Sequence, residues 1–166
     1  MEWRDIVENL GLVRHPEGGY YREIYRSDET IAGEALPSRY SGSRAFGTSI
    51  YFLLPSAEYS HFHRLKSDEI WHFYSGSPLV VHCIDEKGVY AAHRLGGCMT
   101  EEESFQVVIR KNTWFAAEVV DESGYALMGC SVMPGFDFSD FELGDREFLL
   151  ARYPHHGELI ARLTLR

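Results

Sequence analysis

The stretch HFHRLKSDEIWHFYSG, residues 61–76, places three histidines, an aspartate and a glutamate among aromatic side chains. Side chains of a β-strand alternate between its two faces, so His61 and His63 are expected to point to the same side. Two imidazoles in this arrangement are a candidate metal-binding pair. The rest of the chain decides whether further ligands are present and what kind of fold carries the stretch.

The composition predicts one soluble domain over residues 1–166. Hydrophobic residues make up 45% of the chain and aromatic residues 14%, which is enough apolar material for one core. The net charge of −9 and the scattered basic residues argue against a nucleic-acid partner. Three cysteines without a CxxC pair favour a reduced, cytoplasmic location, and no apolar run is long enough to predict a membrane span.

Short alternating runs separated by turn residues fill the middle of the chain, which favours an all-β sandwich or barrel over residues 20–143. Apolar residues at helical spacing predict an N-terminal helix in residues 1–11 and a helical tail in residues 145–166. A polar loop is expected at residues 28–43. The predicted strands cover residues 20–26, 47–54, 59–63, 69–74, 79–84, 89–95, 105–109, 113–120 and 125–132.

The spacing of the opening stretch resembles the first motif of the cupin superfamily, which reads HxH, three or four residues, Glu, six residues, Gly. Here His61-Phe62-His63 is followed by five residues, Glu69, six residues and Gly76. The segments HPEGGYYREIYRS, TSIYFLL, QVVIRKNTWFAAE and GCSVMPGFDFSDFEL are similar to a cupin-like branch whose domain has no known function. The resemblance implies an RmlC-like jelly roll, a double-stranded β-helix barrel with an internal pocket that binds a small molecule, and a homodimer.

The resemblance does not carry the complete metal site of cupins. Such a site takes three histidines and a glutamate, and the position of the last histidine, in a second motif, is occupied here by Phe115. A phenyl ring has no lone pair to donate. At most His61, His63 and Glu69 remain, a set with precedent among divalent transition metals. No metal is favoured, and a metal-dependent enzyme using these three residues is the alternative.

His63 and Glu69 are the candidate catalytic residues. A histidine beside a carboxylate suits proton transfer, and cupin-like sugar epimerases use a histidine base, so the hypothesis is a metal-independent isomerase or epimerase acting on a sugar or nucleotide-sugar. A purely structural pair is equally expected, because a buried carboxylate needs a partner in any protein. A non-catalytic binding or scaffold protein is the third alternative. The candidate substrate-binding residues are Arg22, Trp71, Gln106, Trp114 and Phe115.

Several other polar residues are expected to have no chemical role. His72 has the opposite strand parity to Glu69, so it is predicted to face away from the pocket. The acidic residues of the PGFDFSDFEL segment, including Asp140, are predicted to be exposed to solvent, and its phenylalanines are predicted to be buried. Cys130 reads as a small buried hydrophobic residue.

Overall fold

The computed structural model of the chain describes residues 2–99, 102–122 and 124–166. These residues form an all-β body with short helices at both ends, as the sequence predicts. The strands are β1 (Val13–Arg14), β2 (Tyr20–Arg26), β3 (Thr30–Ile31), β4 (Arg44–Ala45), β5 (Thr48–Pro55), β6 (Tyr59–Leu65), β7 (Asp68–Gly76), β8 (Leu79–Ile84), β9 (Tyr90–Leu95), β10 (Gln106–Ile109), β11 (Trp114–Val119), β12 (Tyr125–Met133) and β13 (Phe141–Leu143).

Two antiparallel sheets face each other. The larger sheet has the order β1-β2-β5-β12-β7-β10 and the smaller has the order β13-β6-β11-β8-β9. Strands that are neighbours in a sheet are often distant in sequence, as in β5 and β12, which is typical of a jelly roll. Residues 77–78 are the short connection that carries the chain from β7 in one sheet to β8 in the other.

The main core lies between the inner faces of the two sheets. Alternation along each strand sends every second side chain inward, where the larger sheet contributes Phe52, Trp71 and Met128 and the smaller contributes Val81 and Phe115. All five side chains are buried. The inner face is therefore apolar over most of its area, and polar side chains on it stand out as candidates for function.

The helices cover the outer faces of the sheets. Helix α1 (Trp3–Leu10) packs Ile6 with Leu12 against Leu53 of the larger sheet. Helices α2 (Arg146–Arg152) and α3 (Gly157–Arg162) cover the smaller sheet, and the Asp145 carboxylate caps α2 by accepting from the Phe148 N–H. None of the helices in the described parts of the chain is long and apolar enough to cross a membrane.

The segment predicted as a loop at residues 28–43 contains some regular structure. Strand β3 pairs with β4, and a 3₁₀ turn occupies Gly33–Ala35. Arg44 at the end of this segment forms a buried bidentate pair with Asp140, with Nε–Oδ2 and Nη2–Oδ1 distances of 2.6 and 2.7 Å. The prediction that Asp140 is solvated is therefore wrong, because its carboxylate neutralises a guanidinium inside the protein.

Candidate functional site

A cavity of about 510 Å³ opens between the sheets. This volume lies within the range of small-molecule sites, which run from about 300 to 1,000 Å³. Aromatic side chains form much of its wall, including Phe52, Trp71 and Phe141. Polar and titratable side chains also line it, and these are His15, Glu17, Tyr21, Glu23, Arg26, Thr48, His63, Glu69, Cys130 and Asp137. The site thus combines an apolar body with a few converging polar groups.

Glu17 reaches the cavity because a tight turn clamps its backbone onto strand β6. The turn closes through the Gly18 N–H to the His15 carbonyl, at 3.0 Å. The Glu17 carbonyl then accepts two bonds from His61, from its backbone N–H at 2.8 Å and its ring Nδ1–H at 2.7 Å. Gly18 has a φ of +110°, and a Cβ there would lie 2.1 Å from the Tyr59 carbonyl oxygen. Glycine is required at this contact.

The Glu17 carboxyl is the centre of a buried hydrogen-bond network. Its Oε1 accepts from the Ser60 hydroxyl at 2.7 Å, and its Oε2 lies 3.0 Å from His63 Nε2. The other ring nitrogen of His63, Nδ1, donates to the His61 carbonyl at 2.7 Å. A neutral His63 therefore presents the lone pair of Nε2 to Glu17, and this contact is satisfied when Glu17 Oε2 carries the proton.

Burial favours this neutral arrangement. Loss of solvation, together with the nearby charge of Glu69, raises the pKa of Glu17 well above its usual value, and the Ser60 bond opposes the rise only in part. The same loss of solvation lowers the pKa of His63 to about 3 and that of His15 to about 4. Both shifts favour the neutral pair, in which Glu17 holds the proton that lies between its Oε2 and His63 Nε2.

Glu69 is the second carboxyl group of the cavity. Burial raises its pKa to about 7, and the nearby Trp71 indole and Cys130 thiol offset only part of that rise. Although Trp71 lies close enough to influence this pKa, Glu69 Oε2 and Trp71 Nε1 are buried atoms that form no hydrogen bond with any described residue. Glu69 therefore offers a free carboxyl oxygen that gains and loses a proton near physiological pH.

A β-bulge on β6 breaks the expected pairing of His61 with His63. His63 lies opposite Phe115 and Ser60 lies opposite Ala117, so three steps along β6 match two along β11. The extra residue reverses the alternation, and it is Ser60 that shares the inward face with His63. His61 does not line the cavity. The prediction that the two histidines point the same way is wrong for this physical reason.

A second bulge, on β2, builds the mouth of the cavity. Glu23 pairs with Ile50 and Tyr25 pairs with Ser49, so Glu23 and Arg26 both come to face inward. Arg26 forms a bidentate pair with Glu23, at 3.0 and 2.8 Å, and its Nη2 donates to the Phe136 carbonyl at 3.0 Å. Arg22 lies on the opposite face, where its guanidinium donates to the Leu10 carbonyl at 2.6 Å.

The structure brings together only some of the residues predicted to bind substrate. Trp71 lines the cavity with His63 and Glu69, whereas Arg22, Gln106, Trp114 and Phe115 do not line it. Trp114 belongs to the core beneath α2 and α3, Gln106 is exposed on β10, and Phe115 packs behind His63 with ring centroids 4.0 Å apart. These four positions require correction as candidates: strand parity turns Arg22 and Gln106 away, Trp114 belongs to the second core, and Phe115 points into the main core against His63 without lining the cavity.

Other predictions about orientation agree with the structure. His72 is half-buried on β7, with opposite parity to the cavity-lining Glu69 and Trp71, and its Nε2 lies 3.2 Å from the Ser131 hydroxyl. Cys130 is buried, as predicted, and it lines the cavity beside Glu69 as well. The sequence interpretation missed Glu17 and His15. The signal for them was the segment HPEGGYYREIYRS, whose resemblance to the cupin-like branch includes His15 and Glu17 but assigned a role to neither.

The sequence matches the profile of the cupin superfamily family DUF985 over residues 4–144. The chain belongs to this cupin family. Among solved structures, this cupin is 39% identical to a protein from Shewanella oneidensis, with a TM-score of 0.88 and coverage of 99% of this chain and 98% of that chain. It is 32% identical to a hypothetical protein from Leishmania major, with a TM-score of 0.91 and full coverage of both chains. No curated protein matches the sequence.

More distant cupins share the fold alone. Oxalate decarboxylase from Bacillus subtilis superposes with a TM-score of 0.54 at 18% identity, over 90% of this chain and 36% of that chain. The ligand set that the cupin motif implies does not fit this cavity, because His61 lies outside it and Phe115 occupies the fourth position. Within residues 2–99, 102–122 and 124–166, no three His, Cys, Asp or Glu side chains are arranged to hold a metal.

Proposed function

We propose that this cupin binds a small polar carbonyl compound in its cavity and moves a proton next to the carbonyl, as an isomerase or epimerase does. The observation that supports this most is the free Glu69 carboxyl oxygen, whose pKa of about 7 suits general acid–base catalysis. The same cavity holds the neutral Glu17–His63 pair, joined over 3.0 Å, as a second proton carrier. Titratable groups with different pKa values in one site are typical of proton-transfer enzymes.

The reaction divides the two proton transfers between these groups. Ionised Glu69 takes the proton from the carbon beside the carbonyl, and the electrons of that C–H bond form the C=C bond of an enol. The carbonyl oxygen receives the proton held between Glu17 and His63. For the isomer of a hydroxyketone or hydroxyaldehyde, Glu69 returns its proton to the former carbonyl carbon, while the hydroxyl on the first carbon gives its proton to the Glu17–His63 pair and becomes the new carbonyl. For the epimer, the enol hydroxyl returns its proton to the Glu17–His63 pair, the first carbon takes a solvent proton on its opposite face, and Glu69 releases its proton to solvent.

Deuterium exchange tests this proposal without knowledge of the natural substrate. Neutral aldoses and ketoses in D₂O are expected to gain deuterium beside the carbonyl when the protein is added, as followed by proton NMR. Because the base is ionised Glu69, whose pKa is raised to about 7, the rate should rise as pH increases towards 7 and level off above it. A protein with His63→Ala that kept the full rate would contradict the role of the Glu17–His63 pair.

The other two functional hypotheses give different results in the same experiment. A metal-dependent enzyme loses exchange after dialysis against EDTA, whereas the proposed side-chain mechanism keeps it. A binding protein is thermally stabilised by one of these sugars without any exchange. Saturable binding with no exchange across the panel therefore replaces the proton-transfer proposal with a binding function.

A further inference from the structure

Two unpartnered polar atoms identify part of the ligand. Trp71 Nε1 and Glu69 Oε2 are buried without a hydrogen-bond partner among the described residues, and both side chains line the cavity. They project from the same face of β7, since positions 69 and 71 are two residues apart. Leaving a buried N–H unpaired costs about 1–3 kcal/mol, so a ligand that supplies an acceptor beside Glu69 gains from both atoms.

Trp71 Nε1 and Glu69 Oε2 together restrict which ligand groups can bind beside them. Trp71 offers only a donor, so the group that it contacts must be an acceptor such as a hydroxyl or carbonyl oxygen. Glu69 is the base of the proposed function and must face the carbon that loses its proton. The Trp71 indole lies close enough to the Glu69 carboxyl to lower its pKa, and both side chains leave the same face of β7, so the acceptor belongs on that same carbon. A carbon that bears a hydroxyl and lies beside a carbonyl meets both conditions.

The charges around the cavity indicate that the ligand is neutral where it enters. The buried titratable groups of the cavity are two carboxyls with raised pKa values, Glu17 and Glu69, and two histidines with lowered pKa values, His15 and His63. None of these four groups is a fixed cation. Arg26 is the cation among the described lining residues, and it lies at the mouth, bound to Glu23 and the Phe136 carbonyl. A phosphate or carboxylate buried beside Glu69 would lack a compensating charge.

We infer that the substrate is an uncharged α-hydroxycarbonyl compound whose hydroxyl oxygen accepts from the Trp71 indole N–H while Glu69 removes the proton from the carbon that bears this hydroxyl. The inference rests on the proposed function and narrows it to one class, the open-chain form of neutral sugars and their small analogues. In a nucleotide-sugar, the charged portion would have to remain outside the mouth.

A pair of cyclic ketones tests the role of the hydroxyl. Exchange of 2-hydroxycyclohexanone and of cyclohexanone is measured in D₂O, and each rate is divided by the rate with acetate as the base, to remove the difference in intrinsic acidity. The hydroxyketone is expected to be preferred by about tenfold, the value of one buried hydrogen bond. Trp71→Phe removes the N–H and should bring this preference close to one.

Trp114 provides a matched control. Trp71 and Trp114 are each 1% exposed and each has an unpartnered Nε1, but Trp114 does not line the cavity. Trp114→Phe should keep the preference for the hydroxyketone. Replacing Trp71 with β-(3-benzothienyl)alanine keeps a two-ring side chain and loses only the N–H, so it separates the hydrogen bond from ring packing. Equal preference in the benzothienyl protein and the wild type overturns the inference.

Charge and function are tested with separate measurements. Dihydroxyacetone should exchange at least tenfold faster than dihydroxyacetone phosphate, and the reverse order overturns the neutral-ligand assignment.

Exchange on both cyclohexanones at equal normalised rates leaves the proposed function intact and removes the inference. If neither ketone exchanges, the proposed function fails, and with it the removal of the proton by Glu69. The binding part of the inference, the hydrogen bond from Trp71 to the hydroxyl, is then decided by NMR binding titrations. Tighter binding of the hydroxyketone that depends on the Trp71 N–H supports it, and equal binding of the two ketones overturns it.

Discussion

Replacing Glu69 with glutamine lowers the rate of deuterium exchange by about 10²–10⁴-fold, the usual contribution of a general base. The substitution keeps the size and hydrogen-bonding shape of the side chain but removes the group that accepts the proton. Glu69 is 7% exposed, and its free Oε2 lies in a cavity that also contains the Glu17–His63 pair. The rise in rate below pH 7 should disappear with the carboxyl group, since that rise reports the ionisation of Glu69.

Glu142→Gln is the matched control for this substitution. Glu142 is an exposed carboxylate on β13 that pairs with Arg64 at 2.7 Å, and it does not line the cavity. Its replacement should leave the exchange rate within about twofold of the wild type, because exposed ion pairs contribute little. A Glu69→Gln protein that exchanges as fast as the Glu142→Gln protein would remove Glu69 from the proposed reaction.

Gly18→Ala destabilises the protein by more than about 3 kcal/mol, because strain at a positive φ, worth ~1–3 kcal/mol, adds to a backbone clash. The new Cβ would lie 2.1 Å from the Tyr59 carbonyl oxygen, and a backbone atom cannot move aside as a flexible side chain can. The turn must therefore leave β6, which withdraws Glu17 from His63. Urea denaturation measures the lost stability, and exchange by the remaining folded protein should fall as well.

Gly11→Ala separates these two costs. Gly11 ends α1 with a φ of +61°, and its Cβ would meet only the flexible Arg22 side chain, at 3.4 Å. The expected loss is about 1–2 kcal/mol, the cost of the left-handed conformation alone. If the two alanine variants lose the same stability, the clamp between the turn and β6 does not hold Glu17 in place.

The barrel could be predicted because several local signals agree. Alternating apolar residues, turn residues between the runs and the Glu69-to-Gly76 spacing each point to the same sheet arrangement, and the strands observed at Tyr20–Arg26 and Leu79–Ile84 have the predicted bounds. Two inward positions of β7 hold Glu69 and Trp71, and an inward position of β6, next to its bulge, holds His63. Their place in the cavity follows from parity once the barrel is given.

The remainder of the site depends on features that have no local signature. A bulge adds one residue to a strand and so reverses the alternation of side chains beyond it. Because of the bulge on β6, His61 does not face the cavity, and because of the bulge on β2, Arg26 does. Glu17 lies outside any strand and reaches His63 through a turn clamped by a contact 41 residues away, between Gly18 and Tyr59. Such long-range contacts are set by tertiary packing, and one sequence does not reveal them. The predicted homodimer and the cytoplasmic location stay predictions.

Direct titration of Glu69 is the most decisive measurement. In protein labelled with ¹³C at the glutamate carboxyl carbons, the resonance that disappears in Glu69→Gln belongs to this residue, and its shift can be followed from pH 4 to 9. The proposed proton transfer predicts a midpoint near 7, because burial holds the proton on Glu69. A midpoint at the ordinary value near 4.5 would show an ionised, solvated carboxylate and would contradict the account of the cavity as a site of proton transfer.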